Sequence, residues 1–211
     1  MTVDIILQNN ATITNADLKL QRFLEHEYEL YDGYQDIDHS TISLLDILIS
    51  IMMNSRLDTA EKVRSIWLNK HTIEVALKDI PIDLSLESED VPWDQIELLF
   101  KVCLNIKNLG PAITTKILYR KRPLLIPIYD SVIGTFLQTN NPIKRKHGEP
   151  DEKSMIRNIK YFRELLIDAA PYIKQILSKL EMNSYKISPM RALEILIWID
   201  NGNAGYYRAC L

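Results

Sequence analysis

The sequence predicts an all-α protein, a bundle of eight to ten helices, and three observations predict it. Apolar residues recur at three- and four-residue spacing along nearly the whole chain, which places them on one face of a helix. Alternation of β-branched and aromatic residues is nearly absent. Glycine is scarce, 6 of 211 residues.

The helices follow in order. Ala16 to Tyr31 has Leu18, Phe23, Leu24 and Leu30 as its apolar positions and Asn15 as its cap. Ile42 to Asn54, opened by Ser40 or Thr41, is apolar on nearly every face, the pattern of a helix at the buried centre of a bundle. Thr59 to Asn69, capped by Asp58, and Thr72 to Leu77 come next. Ile80 to Val91 (IPIDLSLESEDV) is acidic and lacks a helical period, so it reads as an exposed connection. Trp93 to Ile106 resumes the period. Pro111 to Tyr119 and Ser131 to Gln138 are short helices separated by RKRPLLIPIYD, where two prolines enforce an extended link. Residues 139–150 form a polar loop. Lys153 to Ala169, Tyr172 to Glu181 and Pro189 to Ile199 complete the set. With no internal repeat, residues 1–211 read as one unit, or as two lobes of which 42–139 forms one and 1–41 with 140–211 the other.

Composition narrows the function classes. Hydrophobic residues make up 46% and charged residues 25%, a globular balance. Two cysteines, Cys103 and Cys210, are too few for a disulfide scaffold, a four-thiolate zinc site or an iron–sulfur cluster. His26, His39, His71 and His147 show no mutual ligand spacing, so no metal and no cofactor is expected. The longest largely apolar run, Ile47 to Met53, cannot span a membrane, and the N-terminus lacks a basic start followed by an apolar run. A soluble cytoplasmic protein, monomeric and without a membrane partner, is the expectation.

Charge is unevenly distributed. Residues 1–100 carry 19 acids and 7 bases, whereas residues 101–148 carry 9 bases and one acid, Asp130. Residues 149–211 are nearly balanced, with 8 acids and 9 bases. A basic segment inside an acidic body reads as a localised anion-binding surface.

Most of the chemistry lies in Leu104–Leu137, LNIKNLGPAITTKILYRKRPLLIPIYDSVIGTFL. Read physically, it is a helix, a tight turn at Lys107–Gly110, a helix, an extended link, and a helix capped by Asp130. Gly110 stands where positive φ is tolerated and Pro111 takes the first helical position. The amides of the new helix, beside Lys107 and Lys116, suit a phosphate bound without reading base sequence.

This segment resembles the helix–hairpin–helix motif and following acidic helix of the helix–hairpin–helix DNA glycosylase superfamily, in a bacterial branch without an iron–sulfur cluster. Asn108-Leu109-Gly110 fills the last part of the hairpin turn, and Ile126-Pro127-Ile128-Tyr129-Asp130-Ser131-Val132 fits the acidic segment. Asp130 matches the catalytic position. In ILISIMMNSRLDTAEKVRSI, Asn54 sits where the family's wedge glutamine would be. Two departures matter. The first hairpin glycine is Asn108, a residue that tolerates positive φ. The position of the Schiff-base lysine of bifunctional members is Ala112. The resemblance therefore implies a helix–hairpin–helix glycosylase-like bundle and a monofunctional, metal-free DNA glycosylase that leaves an abasic site, acting in repair or in defence against phage DNA with modified bases.

In that mechanism a base is flipped into a pocket and the sugar gains oxocarbenium character as the N-glycosidic bond breaks. An ionised Asp130 beneath it stabilises the charge and orients the attacking water. The helix N-terminus, with Arg120, Lys121 and Arg122, is expected to favour its charged form. Arg120, Lys121, Arg122 and Lys144, Arg145, Lys146 are candidate backbone contacts, or solvated basic loops. Tyr31 and Tyr34 are the candidates for stacking on the flipped base, among a cluster of Tyr28, Asp32, Asp36 and Asp38 that otherwise reads as helix rim and solvated acids. Met52, Met53 and Trp198 read as core. Two other readings stay open: a non-catalytic helix–hairpin–helix DNA-binding module in which Asp130 is only a cap, and an α-helical protein-interaction domain whose acidic half docks a basic partner.

Overall fold

The computed structural model describes residues 2–28, 31–34, 37–53, 59–180 and 185–202. Among them the chain forms eight α-helices and a two-stranded hairpin, so the all-α expectation holds. Strands β1 (Ile5–Ile6) and β2 (Thr12–Ile13) pair antiparallel with Ile5 opposite Ile13, and both of those side chains are buried. Two residues per strand are too few to show alternation, and the sequence reading missed them. The helices are α1 (Ala16–Glu27), α2 (Leu44–Met52), α3 (Ala60–Leu77), α4 (Trp93–Leu104), α5 (Pro111–Lys121), α6 (Ser131–Asn140), α7 (Asp151–Leu180) and α8 (Pro189–Asn201). No helix among the described residues is long and apolar enough to cross a membrane.

Capping chemistry sets several boundaries. Helix α2 opens on Ser43, whose hydroxyl accepts from the Asp46 amide while the Asp46 carboxylate accepts from the Ser43 amide. Ser40 and Thr41, expected as caps, instead donate to Asp38. Helix α3 starts after Thr59, whose hydroxyl accepts from Lys62, and continues without the break expected near residue 70. Asp58 lies outside the described residues. Helix α7 also runs unbroken, through Pro171, over roughly 45 Å. Proline removes one backbone hydrogen bond, but the carbonyl it leaves belongs to Ile167 on the exposed side, where water can satisfy it. The buried residues on either side, Leu166, Ala169, Ile173 and Ile176, keep the helix packed.

Helix α8, not α2, is the buried centre. Met190 to Ile197 and Ile199 are all buried, and α8 packs against α1, α6, α7 and β2. Helix α2 lies at the edge against α5. It buries Asp46, Ile47, Ile49 and Ser50 and leaves Leu44, Leu48 and Met52 as an exposed apolar stripe. An all-apolar helix marks a buried centre only if other elements cover every face. The connection 80–91 is anchored rather than free. Leu86 is buried, its amide donates to the Leu124 carbonyl, and Arg163 donates to the carbonyls of Leu86 and Ser88.

The basic run at the end of α5 is also inside. Arg120, Lys121 and Arg122 are each at most 3% exposed. Arg120 Nε donates to Asp46 Oδ1 at 3.0 Å and Lys121 Nζ to Asp46 Oδ2 at 2.6 Å. Lys121 also donates to the Asp38 carbonyl, and Arg122 donates to the carbonyls of Leu77, Ile80 and His39. The run is therefore no DNA-contacting surface and no field around Asp130. Its cations close the C-terminal end of α3 and tie α5 to α2, because a buried cation must find a carboxylate or carbonyls.

Burial opposes ionisation of Asp46, yet hydrogen bonds from Lys121 and Ser43 hold its carboxyl below the ordinary carboxylate range. Asp46→Asn strips the counter-charge from two buried cations and is expected to cost about 3 kcal/mol in urea unfolding. A loss under about 1 kcal/mol would show that the cations find other partners. The depressed folded-state value also fixes the sign of the pH dependence. The contribution is full above the unfolded carboxylate value, about 4, and is lost as pH falls below it.

Candidate functional site

The hairpin between α4 and α5 joins the end of one helix at Asn105 to the start of the next at Gly110. Asn108 takes the positive φ of the turn, at 71°, while Gly110 is extended (φ −88°, ψ 172°). The left-handed position is thus Asn108, as its side chain permits, and Gly110 serves as the helix cap before Pro111. A Cβ at Gly110 would meet nothing within 4 Å, so this side of the turn is open.

Asp130 opens α6, and its approach is fixed from three sides. The Tyr129 amide donates to Thr115 Oγ1 of α5 at 2.9 Å, and the Ile128 amide donates to Glu194 Oε2 of α8 at 3.0 Å. The Tyr129 hydroxyl accepts from Asn158 of α7 and Gln138 of α6. Gly134 lets the Tyr129 ring lie against α6, since a Cβ there would come within 2.9 Å of that ring. Asp130 itself is partly exposed, and its Oδ1 accepts from the amides of Val132 and Ile133, both at 2.9 Å.

These elements enclose a cavity of about 650 Å³. Gly110, Ala112 and Lys116 line it from α5, Asp130 and Ser131 from α6. Phe23 and Glu27 of α1 and Met52 and Met53 at the end of α2 form the other side. Helix α8 supplies Arg191, Glu194, Ile195 and Trp198. The Phe23 and Trp198 rings meet edge to face, centroids 6.2 Å apart. A space of this size, with apolar walls and few polar groups, is the form of a small-molecule or single-base site.

Charge is concentrated at one wall. Arg191 reaches Asp32 with Nε (2.9 Å to Oδ1) and Nη2 (3.0 Å to Oδ2), and its Nη1 donates to Glu194 Oε1 at 2.5 Å. Lys116 Nζ donates to the Met53 carbonyl at 2.5 Å. Burial pushes the Glu194 carboxyl up to about 7, against the pull of Arg191 and the Ile128 amide and with the added repulsion of Asp32 and Asp130. Burial also lowers the Lys116 amine from its ordinary value, which Asp130 and Glu194 partly offset.

The sequence-predicted residues therefore divide. Asp130, Gly110 and Lys116 come together at the cavity, Lys116 as a buried wall residue rather than a phosphate contact. Lys107 is exposed and pairs with Glu61, to which Asn108 also donates. Lys144, Arg145 and Lys146 are exposed on the loop after α6, about 15 Å of helix away from Asp130. Lys144 donates to the carbonyls of Gln138 and Thr139, and Arg145 pairs with Asp151. Asn54 lies outside the described residues, as does Asp36.

Tyr31 and Tyr34 do not line the cavity. Tyr31 is buried behind it, stacked on Tyr119 at 5.8 Å with its hydroxyl donating to the Lys116 carbonyl. Tyr34 lies under the Arg120 guanidinium, 5.5 Å from its ring centre. Asp32 and Asp38, read as solvated, hold Arg191 and the Ser40–Thr41 turn. The aromatic walls are instead Phe23 and Trp198; of the two methionines expected in the core, Met52 is exposed and Met53 partly buried, and both line the cavity. The available signal was in α8. Arg191, Glu194, Ile195 and Trp198 share one face at three- and four-residue spacing, and two buried charges on a mostly apolar helix single that face out.

Gly134→Ala tests the positioning of Asp130. An alanine in a helix is ordinarily worth up to about 1 kcal/mol over glycine, but here its methyl meets the held Tyr129 ring. The expected result is a net loss of about 1–3 kcal/mol in thermal unfolding; a stabilised variant would show that Tyr129 gives way freely.

The chain belongs to a family of unknown function (DUF6308), whose family model matches residues 12–201. That range contains every residue that lines the cavity. No curated protein and no solved structure matches the chain.

Proposed function

We propose that this protein is a cytoplasmic, monomeric and monofunctional DNA N-glycosylase, which flips a damaged or modified base out of the helix and leaves an abasic site. One observation carries the reading: a carboxylate held at a helix start stands on the wall of a cavity large enough to admit a base, beside the open side of a hairpin turn. The flipped base would lie against the Phe23 and Trp198 rings, which together offer an apolar aromatic wall. Asp130 would then face the sugar. Its Oδ1 is held by two amides, which fixes the carboxylate without shielding it by a salt bridge. As the bond to the base breaks, positive charge develops at the sugar and the carboxylate stabilises it, then takes a proton from the attacking water.

Backbone contacts would come from the first-turn amides of α5 at Gly110, from Lys107 and Asn108, and from Lys144–Lys146. Ala112 carries no amine, and Lys116, the single lysine that lines the cavity among the described residues, has its ammonium held by the Met53 carbonyl. That supports excision without strand cleavage. Repair and defence against phage DNA with modified bases are both settings for this chemistry.

A non-catalytic DNA-binding module is the second reading, favoured by the two amide bonds that make Asp130 a complete helix cap. Base release from genomic and phage DNAs, followed by mass spectrometry, separates the two. Wild type is expected to free a base, and Asp130→Asn to bind DNA equally and free none. Strand breaks should appear only after alkali, and borohydride should trap no adduct. Equal release by the variant would overturn the role of Asp130, and an adduct that disappears in Lys116→Gln would overturn the monofunctional part.

If Lys144, Arg145 and Lys146 meet phosphates, replacing all three by alanine should flatten the slope of log affinity against log salt by about one unit for each phosphate left without its cation. An unchanged slope assigns the binding to the hairpin alone.

A further inference from the structure

The cavity holds a second carboxylate that the proposed role of Asp130 leaves unused. Glu194 is 3% exposed, yet it is a wall residue of the same cavity. Its two oxygens accept from the Ile128 amide and from Arg191, so its position is fixed from both α8 and the link to Asp130. The charged and titratable groups that face it are Arg191 on its own helix, Asp32 and Tyr31 after α1, Lys116 and Tyr119 on α5, and Asp130 at the start of α6. Glu27 of α1 lines the same space.

The balance of charge around the wall decides what Glu194 does. The two cations Arg191 and Lys116 are outnumbered by the carboxylates on and behind the cavity wall, Glu27, Asp32, Asp130 and Glu194. Asp32 takes Arg191 through both its oxygens, so Glu194 has only a share of that cation. An excess of negative charge favours uptake of a proton, and the fully buried carboxyl among the others, Glu194, is the one best placed to hold it. Paired carboxyls with unequal proton affinity in one site are the arrangement that hydrolyses a glycosidic bond, one as acid to the leaving group and the other at the sugar.

Resting on the glycosylase reading, we infer that Glu194 is the general acid that protonates the departing base, so that the substrates are uncharged bases rather than bases already made cationic by alkylation. In the step, the Glu194 proton passes to a nitrogen or carbonyl oxygen of the base. The bond from the base to C1′ breaks with its electron pair going to the base. Water adds at C1′ and gives a proton to Asp130, and solvent exchange returns the proton to Glu194. The products are the free base and an abasic sugar, and no other reactant is needed. A cationic base leaves without this proton and gains nothing from Glu194.

The pH dependence has a definite sign. Since Glu194 must carry its proton, release of an uncharged base falls as pH rises through the value of that carboxyl, about 7. The test uses full-length protein in single-turnover release from duplexes carrying hypoxanthine, uracil or 8-oxoguanine as uncharged bases and 7-methylguanine as the cationic one. Wild type should free at least one uncharged base, with a rate that drops about tenfold per pH unit above that value. Glu194→Gln, which keeps an acceptor for Ile128, should lose on the order of 10²-fold on that base and lose the pH dependence. Equal affinity of variant and wild type for a duplex with a tetrahydrofuran abasic analogue shows that the variant is folded. If it is not folded, the wild-type pH profile alone decides. A flat wild-type profile, unchanged release by a folded variant, or release of 7-methylguanine only overturns the role of Glu194 while leaving Asp130 as proposed. Release of none of the four, and of no base from genomic or phage DNA carrying modified bases, overturns both.

Discussion

The Arg191 guanidinium is the interaction on which the site depends. It comes from the most buried helix and divides its donors between Asp32, from the segment after α1, and Glu194, one turn along α8. Glu194 in turn accepts the Ile128 amide, two residues before Asp130. One cation thereby sets the distance between the N-terminal part of the chain, the central helix and the helix start that bears the candidate catalytic carboxylate. Burial disfavours the charge on Arg191, but Asp32 and Glu194 outweigh it and hold the guanidinium well above its ordinary value. Stacked Tyr31 and Tyr119 rings, each centred 5.5 Å from it, complete its surroundings. A charge this enclosed contributes more to geometry than to stability, because the desolvation of the buried Arg191–Asp32 pair offsets much of its attraction.

The helices were legible in the sequence wherever a stretch carried its own period: α1, α4, α5, α6 and α8 fall close to where spacing placed them, although Asn15, expected to cap α1, is left-handed and its side chain accepts no amide of the first turn. What local pattern could not supply was the covering of each face. Helix α2 is apolar all round because half of it meets α5 and half is exposed, while α8, with Arg191 and Glu194 in its sequence, is the one enclosed. Pro171 and residues 70–71 looked like breaks, but buried residues on both sides carry α7 and α3 through them. Packing overrides propensity in both cases.

The same limit applies to the site. Asp130 could be found because chain order brings a hairpin, an extended link and a capped helix together within thirty or so residues, a local arrangement. Tyr31 and Tyr34 had the right chemistry for a base pocket but the wrong side of the wall. Phe23 and Trp198, far apart in sequence, meet only because α1 and α8 pack together, and no spacing rule joins them. Polar residues on an apolar helix, as at Arg191 and Glu194, are the one sequence signal that points to such a face, since burying them without purpose is costly.

The uneven charge along the chain has a different meaning once folded. Bases from the central segment find an acid of the N-terminal part inside the protein: Asp46 takes Arg120 and Lys121, and the backbone carbonyl of Asp38 also accepts from Lys121. The run that looked most like a nucleic-acid surface is therefore an internal clasp. Of the cations proposed to meet DNA, Lys107 and Arg145 already have acidic partners, Glu61 and Asp151. A glycosylase built this way gains little affinity from phosphates, because each of these two cations must first give up a partner. In the proposed glycosylase, discrimination would fall on the cavity, where a flipped base would meet the aromatic wall and the carboxylates of Asp130 and Glu194. Weak backbone binding and a demanding pocket suit an enzyme that must pass over ordinary DNA and stop only where a base is easily extruded.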